Sequence, residues 1–147
     1  MSNAIVPKAP FWYWSIVAFA ITWTAFGVFA WMLDLRIGAA HVASLSDTQL
    51  ELYAQRPQWV LVVYMVAVFS GLIGAVGLLT RQAWAVVAFG ISLVAILTHL
   101  DDTYVVMGAL NRFGLAGTSS LLMLCIVAIA AALLWFSISA RTNEWIR

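Results

Sequence analysis

The sequence predicts an all-α fold: an integral membrane protein built as an antiparallel four-helix transmembrane bundle. Three observations lead there. Of the 147 residues, 65% are hydrophobic and 9% are charged, whereas soluble domains carry about 25% charged residues. Small domains keep a large share of their residues at the surface, so a mean hydropathy of +1.00 implies that the solvent is lipid. The apolar residues also fall into four runs, at about residues 11–33, 59–79, 83–109 and 117–140. A helix of about 21 residues rises roughly 32 Å, enough to cross the hydrocarbon core of a bilayer. The length fits a single domain.

Pro7 and Pro10 lead into the first run. Pro10 suits the first turn of a helix, where its missing N–H is not needed. Helix 1 is expected from Phe11 to Leu33, closed by Asp34 and Arg36 with Gly38 beyond. It is longer than the apolar core of a cleaved secretory signal, about 7–15 residues, and only Lys8 precedes it. The first loop, 34–58, is the longest polar stretch. Within it Ser46-Asp47-Thr48-Gln49 has the form of a capping box, a hydroxyl at the cap and a glutamine three residues on. It predicts a short helix over about 47–55, stopped by Pro57.

Helix 2, Trp59 to Leu79, contains no charge and no proline. Gly71, Gly74 and Gly77 put small residues on one side, where a neighbouring backbone can come close, and are assigned to helix packing. Thr80-Arg81-Gln82 is so short a connection that helices 2 and 3 must be antiparallel neighbours. Helix 3 starts near Ala83, meets Asp101 and Asp102, and either continues to about Ala109 or breaks near the acids. Ala85, Ala88, Ser92, Ala95, His99 and Asp102 follow steps of three and four, so this face should point into the bundle. Helix 4 spans about Gly117 to Ala140, and the tail Thr142 to Arg147 reads as short and polar. No internal repeat relates the two helix pairs.

Tryptophans mark the span ends: Trp12, Trp14, Trp31, Trp59, Trp84 and Trp135. Indoles concentrate at membrane interfaces, and Trp23 is the exception near a span's middle. Four spans place both termini on one side, with Lys8, Arg81, Arg141 and Arg147; Arg36, Arg56 and Arg112 lie on the other. The positive-inside rule then predicts cytoplasmic termini.

Several function classes are disfavoured. A net charge of +1 offers no basic face to nucleic acid. Cys125 is the only cysteine, which excludes an intrachain disulfide and a cysteine zinc cluster; it reads as a small buried side chain. His41 and His99 are far apart and no serine has a hydrolase signature around it, so no enzyme and no catalytic residue is expected. No ligand spacing supports a metal, and no cofactor is expected. The glycine stripe has no preceding strand and no following Lys-Ser/Thr, so it is not a nucleotide motif.

Two residue sets are candidates for function. The first is His99 with Asp101 and Asp102. Ionisable groups in or beside a span are costly when they face lipid, and His99 and Asp102, one turn apart, are placed to share a proton or bind an ion or solute. The competing reading is an interfacial helix end with the acids in water. The second set lies near the midplane: Thr22, Trp23 and Thr24 on helix 1, Ser70 on helix 2, Ser92 on helix 3 and Cys125 on helix 4. Together they would line a pocket, with hydroxyls accepting the Trp23 indole N–H. The competing reading is that each hydroxyl bonds its own helix.

The segments Trp23-Thr24, Gly27 and Trp31, then Leu52-Tyr53, Arg56-Pro57 and Trp59-Val60, the glycine-rich second span, Leu79, Arg81, Trp84-Ala85, Tyr104 and Met107-Gly108 resemble a group of small bacterial four-span inner-membrane proteins. Some of those carry a sugar-transporter label. The DoxX-like four-helix membrane proteins are similar in size and span count. The resemblance implies a bacterial inner membrane and no particular site residues. Two functions are therefore expected. One is an accessory or binding subunit within the bilayer, holding a partner membrane protein or a lipid-like molecule. The alternative is a small-solute or proton-coupled transporter, which with four helices requires a homo-oligomer.

Overall fold

A computed structural model of the chain describes residues 9–36, 46–47, 50–51, 58–101 and 118–147. Four helices account for most of these: α1 (Phe11–Arg36), α2 (Gln58–Leu79), α3 (Ala85–Asp101) and α4 (Thr118–Thr142). No strand occurs among the described residues. Three helices, α1, α2 and α4, are long and apolar enough to cross a membrane; α3, at 17 residues, is a shorter apolar helix. The continuation of the third run over 102–109 lies outside the described residues. Of the short helix expected over 47–55, Asp47, Leu50 and Glu51 are helical, and the Leu50 N–H donates to the Ser46 carbonyl at 2.8 Å. The rest of that helix lies outside the described residues.

Neighbours in sequence are neighbours in space, and each pair runs antiparallel. Tyr13, at the start of α1, donates its hydroxyl to Leu78 O near the end of α2 at 2.6 Å. At the opposite end the Trp31 indole donates to Leu61 O at 3.3 Å. Ser92 on α3 donates to Ala67 O on α2 at 2.7 Å. The Ala83 N–H, just before α3, donates to Arg147 O, just after α4, at 2.6 Å.

The glycine stripe sets the α2–α3 spacing. A Cβ on Gly77 would lie 2.9 Å from the Ala85 Cβ, and one on Gly74 would lie 3.0 Å from the Phe89 ring. A Cβ on Gly71 would lie 3.1 Å from Ser92 Oγ and 3.3 Å from Thr24 Cγ2, so this glycine also admits α1. The α3 face read from the sequence is buried at Ala85, Ala88, Ser92 and Ala95, with Phe89 beside them.

Both helices that end on the tail side close in the same way. After α2, Gln82 N–H donates to Gly77 O and Arg81 N–H to Leu78 O, at 2.8 and 3.1 Å. After α4, Trp145 N–H donates to Ala140 O and Glu144 N–H to Arg141 O, at 2.9 and 3.0 Å. These paired bonds form the Schellman motif, which needs a left-handed residue and usually takes glycine. Here the residues are Arg81, φ 60°, and Glu144, φ 58°. The tail then turns inward. Ile146 is buried, and Trp145 meets Trp12 at 5.1 Å between ring centroids. The polar reading of the tail therefore misses its last apolar pair.

One half of the bundle is filled by a continuous buried cluster, whereas in the other half Val28, Val60 and Ala67 are buried outside it. The cluster comprises Tyr13, Val17 and Ala20 of α1, Ala75 and Leu78 of α2, Ala85 and Phe89 of α3, Leu133, Phe136 and Ala140 of α4, and Ile146. All of these belong to the half that carries the tail. The outer surface is apolar around the bundle: Phe26, Val87, Val94, Leu122 and Trp135 are all exposed.

Candidate functional site

The other half of the bundle contains a void. The helices enclose a cavity of about 840 Å³ there, lined by all four. Its size follows from the residues that face it. Gly27 and Ala30 on α1, Ala67 and Gly71 on α2, and Ala130 on α4 line it with little side-chain volume. In the packed half, Tyr13, Phe89 and Phe136 fill the corresponding space. Phe89 and Leu133 belong to both regions and form the floor of the cavity. Phe26 and Leu122 line it and are also exposed at the outer surface, 65% and 59%, so the cavity opens sideways between α1 and α4. At the packed end, α1 and α4 are joined by the Trp12–Phe136 and Tyr13–Phe136 ring contacts at 5.9 and 5.6 Å.

The wall is mostly aliphatic and aromatic, with polar groups at two levels. Near the floor sit Thr24 and Ser92. Thr24 Oγ1 donates to Ala20 O at 2.7 Å within its own helix, and Ser92 crosses to Ala67 O. Both hydroxyl protons are thereby engaged, leaving only acceptor capacity toward the cavity. At the far end Tyr64 on α2 and His99 on α3 stack, with ring centroids 5.5 Å apart and planes 21° apart. Both rings line the cavity. His99 lies ten residues beyond Phe89, so the cavity runs about 15 Å along α3. No Lys or Arg is among its described lining residues.

Of the midplane set, the structure brings Trp23, Thr24 and Ser92 together on this wall. Trp23 stacks on Phe19 at 6.1 Å and forms no hydrogen bond with Thr24 or Ser92. The other three sit elsewhere. Thr22 is exposed and bonds back to Ala18 O at 3.0 Å. Ser70 bonds back to Val66 O at 2.5 Å. Cys125 is exposed rather than buried, because the helical period groups it with Leu121, Leu124 and Ala128 on the outward side of α4. Of the ionisable set, His99 lines the cavity, Asp101 is exposed at the end of α3, and Asp102 lies outside the described residues. Among the described residues no group of His, Cys, Asp or Glu is placed to hold a metal.

Tyr64 is the polar residue among the described lining residues that sequence reasoning passed over. A signal existed: Tyr64, Ala67, Gly71 and Gly74 follow steps of three and four, so Tyr64 extends the face of the glycine stripe. No protein-family model, curated protein or solved structure matches this chain.

Proposed function

We propose that this chain is an integral membrane binding protein that holds a lipid-like molecule between its helices. Embedding in a bilayer is supported by the three long apolar helices and by the exposed Phe, Val, Leu and Trp side chains around the bundle. Such a surface would be costly in water. The observation that carries the functional reading is the cavity of about 840 Å³, apolar on its walls and open sideways between α1 and α4. A lateral mouth flanked by Phe26 and Leu122 would face the hydrocarbon of the bilayer, so the molecules able to enter are those already dissolved there.

Binding is favoured over passage by the packed half. Tyr13, Leu78, Phe136 and Ile146 are buried between the cavity floor and the tail, which leaves a pocket with a floor rather than a continuous path. The glycine stripe is occupied by α3 and α1 within the chain, so it is not the surface that meets a partner.

The test is native mass spectrometry of the full chain purified in a mild detergent, followed by lipid extraction. A co-purifying apolar molecule is expected. Ala130→Phe, which places a ring in the cavity, should remove that molecule while leaving the melting temperature near that of the parent. Retention of the same molecule by Ala130→Phe would overturn the reading.

A further inference from the structure

Two matched apolar seams run along α1 and α4. On α1 the seam is Trp12, Ile16, Phe19, Trp23 and Phe26; on α4, read in the opposite direction, it is Phe136, Leu133, Ile129, Ile126 and Leu122. Each set steps by three and four, the spacing of a helix edge that packs along its length against another helix. Trp12 meets Phe136 at 5.9 Å between ring centroids, which sets the register of the pair. Counted from that contact, the later members fall level to within one residue. Phe26 comes opposite Leu122, about 21 Å along the axis.

The seam is closed at one end and parted at the other. Leu133 belongs to the buried cluster, and Ile16 and Ile129 pack against it. Phe26 and Leu122 instead stand exposed on either side of the cavity mouth. Among the described residues, the ring contacts between the two helices lie at the closed end. We infer that α1 and α4 are the two leaves of a lateral gate, pivoting on Trp12, Tyr13 and Phe136, which zips shut when the cavity is empty and is held open by the molecule inside. This rests on the cavity being a lipid site.

Packing gives such a gate two states. A void leaves the residues that line it without contacts on one side. Those contacts are recovered either by an occupant or by bringing the walls together. Gly27 and Ala30 on α1 and Ala130 on α4 put little side-chain volume behind the seam, so the walls have room to approach. Between helices in lipid, association is driven by close packing rather than by the hydrophobic effect. Tilting α1 about its packed end would set Trp23 against Ile126 and Phe26 against Leu122, a hinge closure that leaves the tail-side core intact.

The experiment combines Phe26→Cys with Leu122→Cys in a Cys125→Ala background, using the full chain in detergent after removal of bound lipid. Both sites are exposed, so the fold should tolerate the change; Trp23→Cys with Ile126→Cys is the second pair if a melt shows otherwise. A disulfide needs the two Cα atoms within about 7 Å, which the closed seam supplies. Oxidation should produce a bond within one chain. Octadecene, an apolar chain with no head, is the probe. It should slow the bond about tenfold, the population shift of a ligand that prefers the open state by that factor. Native mass spectrometry should find octadecene on the reduced protein and not on the oxidised one. Octadecene that binds without slowing the bond, a bond between two chains, or no bond from either pair would overturn the gate and leave the lipid site standing. Failure of the parent to bind octadecene would remove the lipid site and the gate with it.

Discussion

The Arg81 side chain donates through Nε to the Trp145 carbonyl at 2.6 Å, tying the turn after α2 to the turn after α4. The two backbones are joined at the same place, with Arg147 N–H donating to Arg81 O at 2.9 Å. Arg81 also has the left-handed backbone, φ 60°, that closes α2. One residue therefore carries a conformational cost and the bond that offsets it.

That double role orders three proteins by stability. Arg81→Gly should remove the backbone cost and the side-chain bond together. Arg81→Ala should keep the cost, about 1 kcal/mol, and lose the bond. Melting in detergent should run parent, then Gly, then Ala. An alanine variant as stable as the glycine variant would show that the left-handed turn is not strained.

Glu144 has the same backbone, φ 58°, but its side chain is exposed and bonds no other described residue across the bundle. Glu144→Gly should therefore stabilise the fold, by up to about 1 kcal/mol. A fall in melting temperature would mean that the carboxylate holds the turn in a way its exposure does not suggest.

The glycines separate by what surrounds them. A Cβ on Gly77 would stand 3.1 Å from the Ala85 Cα, a backbone atom that cannot swing aside. Gly77→Ala should cost about 1–3 kcal/mol. Nothing lies within 4 Å of a Cβ built on Gly90, so Gly90→Ala should stabilise α3 by about 0.5–1 kcal/mol. The pair is read in one thermal melt, and effects of the same sign would contradict the α2–α3 packing.

Adjacent positions on α3 test its orientation. Ala88 is buried and Val87 is 62% exposed. Ala88→Leu should destabilise by about 1–3 kcal/mol, whereas Val87→Leu should stay within about 0.5 kcal/mol. Equal shifts would refute the inward face.

Cys125 reports on the surroundings of the bundle. It is exposed on the outside of α4 and is the only cysteine. With the bundle in lipid, a water-soluble maleimide should leave it unlabelled in nanodiscs and label it after denaturation. Labelling in intact nanodiscs would place that face of α4 in water.

Features that depend on one helix at a time were legible in the sequence. The inward face of α3 follows from the spacing of Ala85, Ala88, Ser92 and Ala95, since period alone puts them together. Gly71, Gly74 and Gly77 read as packing positions for the same reason. The cavity was only partly legible. Trp23, Thr24 and Ser92 share depth and direction, but Thr22 and Cys125 share only depth, and a count of residues from a span's end does not give direction. A void also depends on what opposing helices fail to supply, and no single run records that. The two Schellman turns were hidden because Arg81 and Glu144 stand where glycine would have announced them. Ile146 was hidden because its burial is made by residues far away in the chain.

A bundle filled at one end and hollow at the other responds unevenly to hydrostatic pressure. Pressure favours states that eliminate internal voids, and the void here is confined to the half bounded by Gly27, Ala67, Gly71 and Ala130. Compression should loosen that half first, while the end clasped by Tyr13, Leu78 and Ile146 holds its packing. An occupant that fills the void would lower the compressibility of the whole protein.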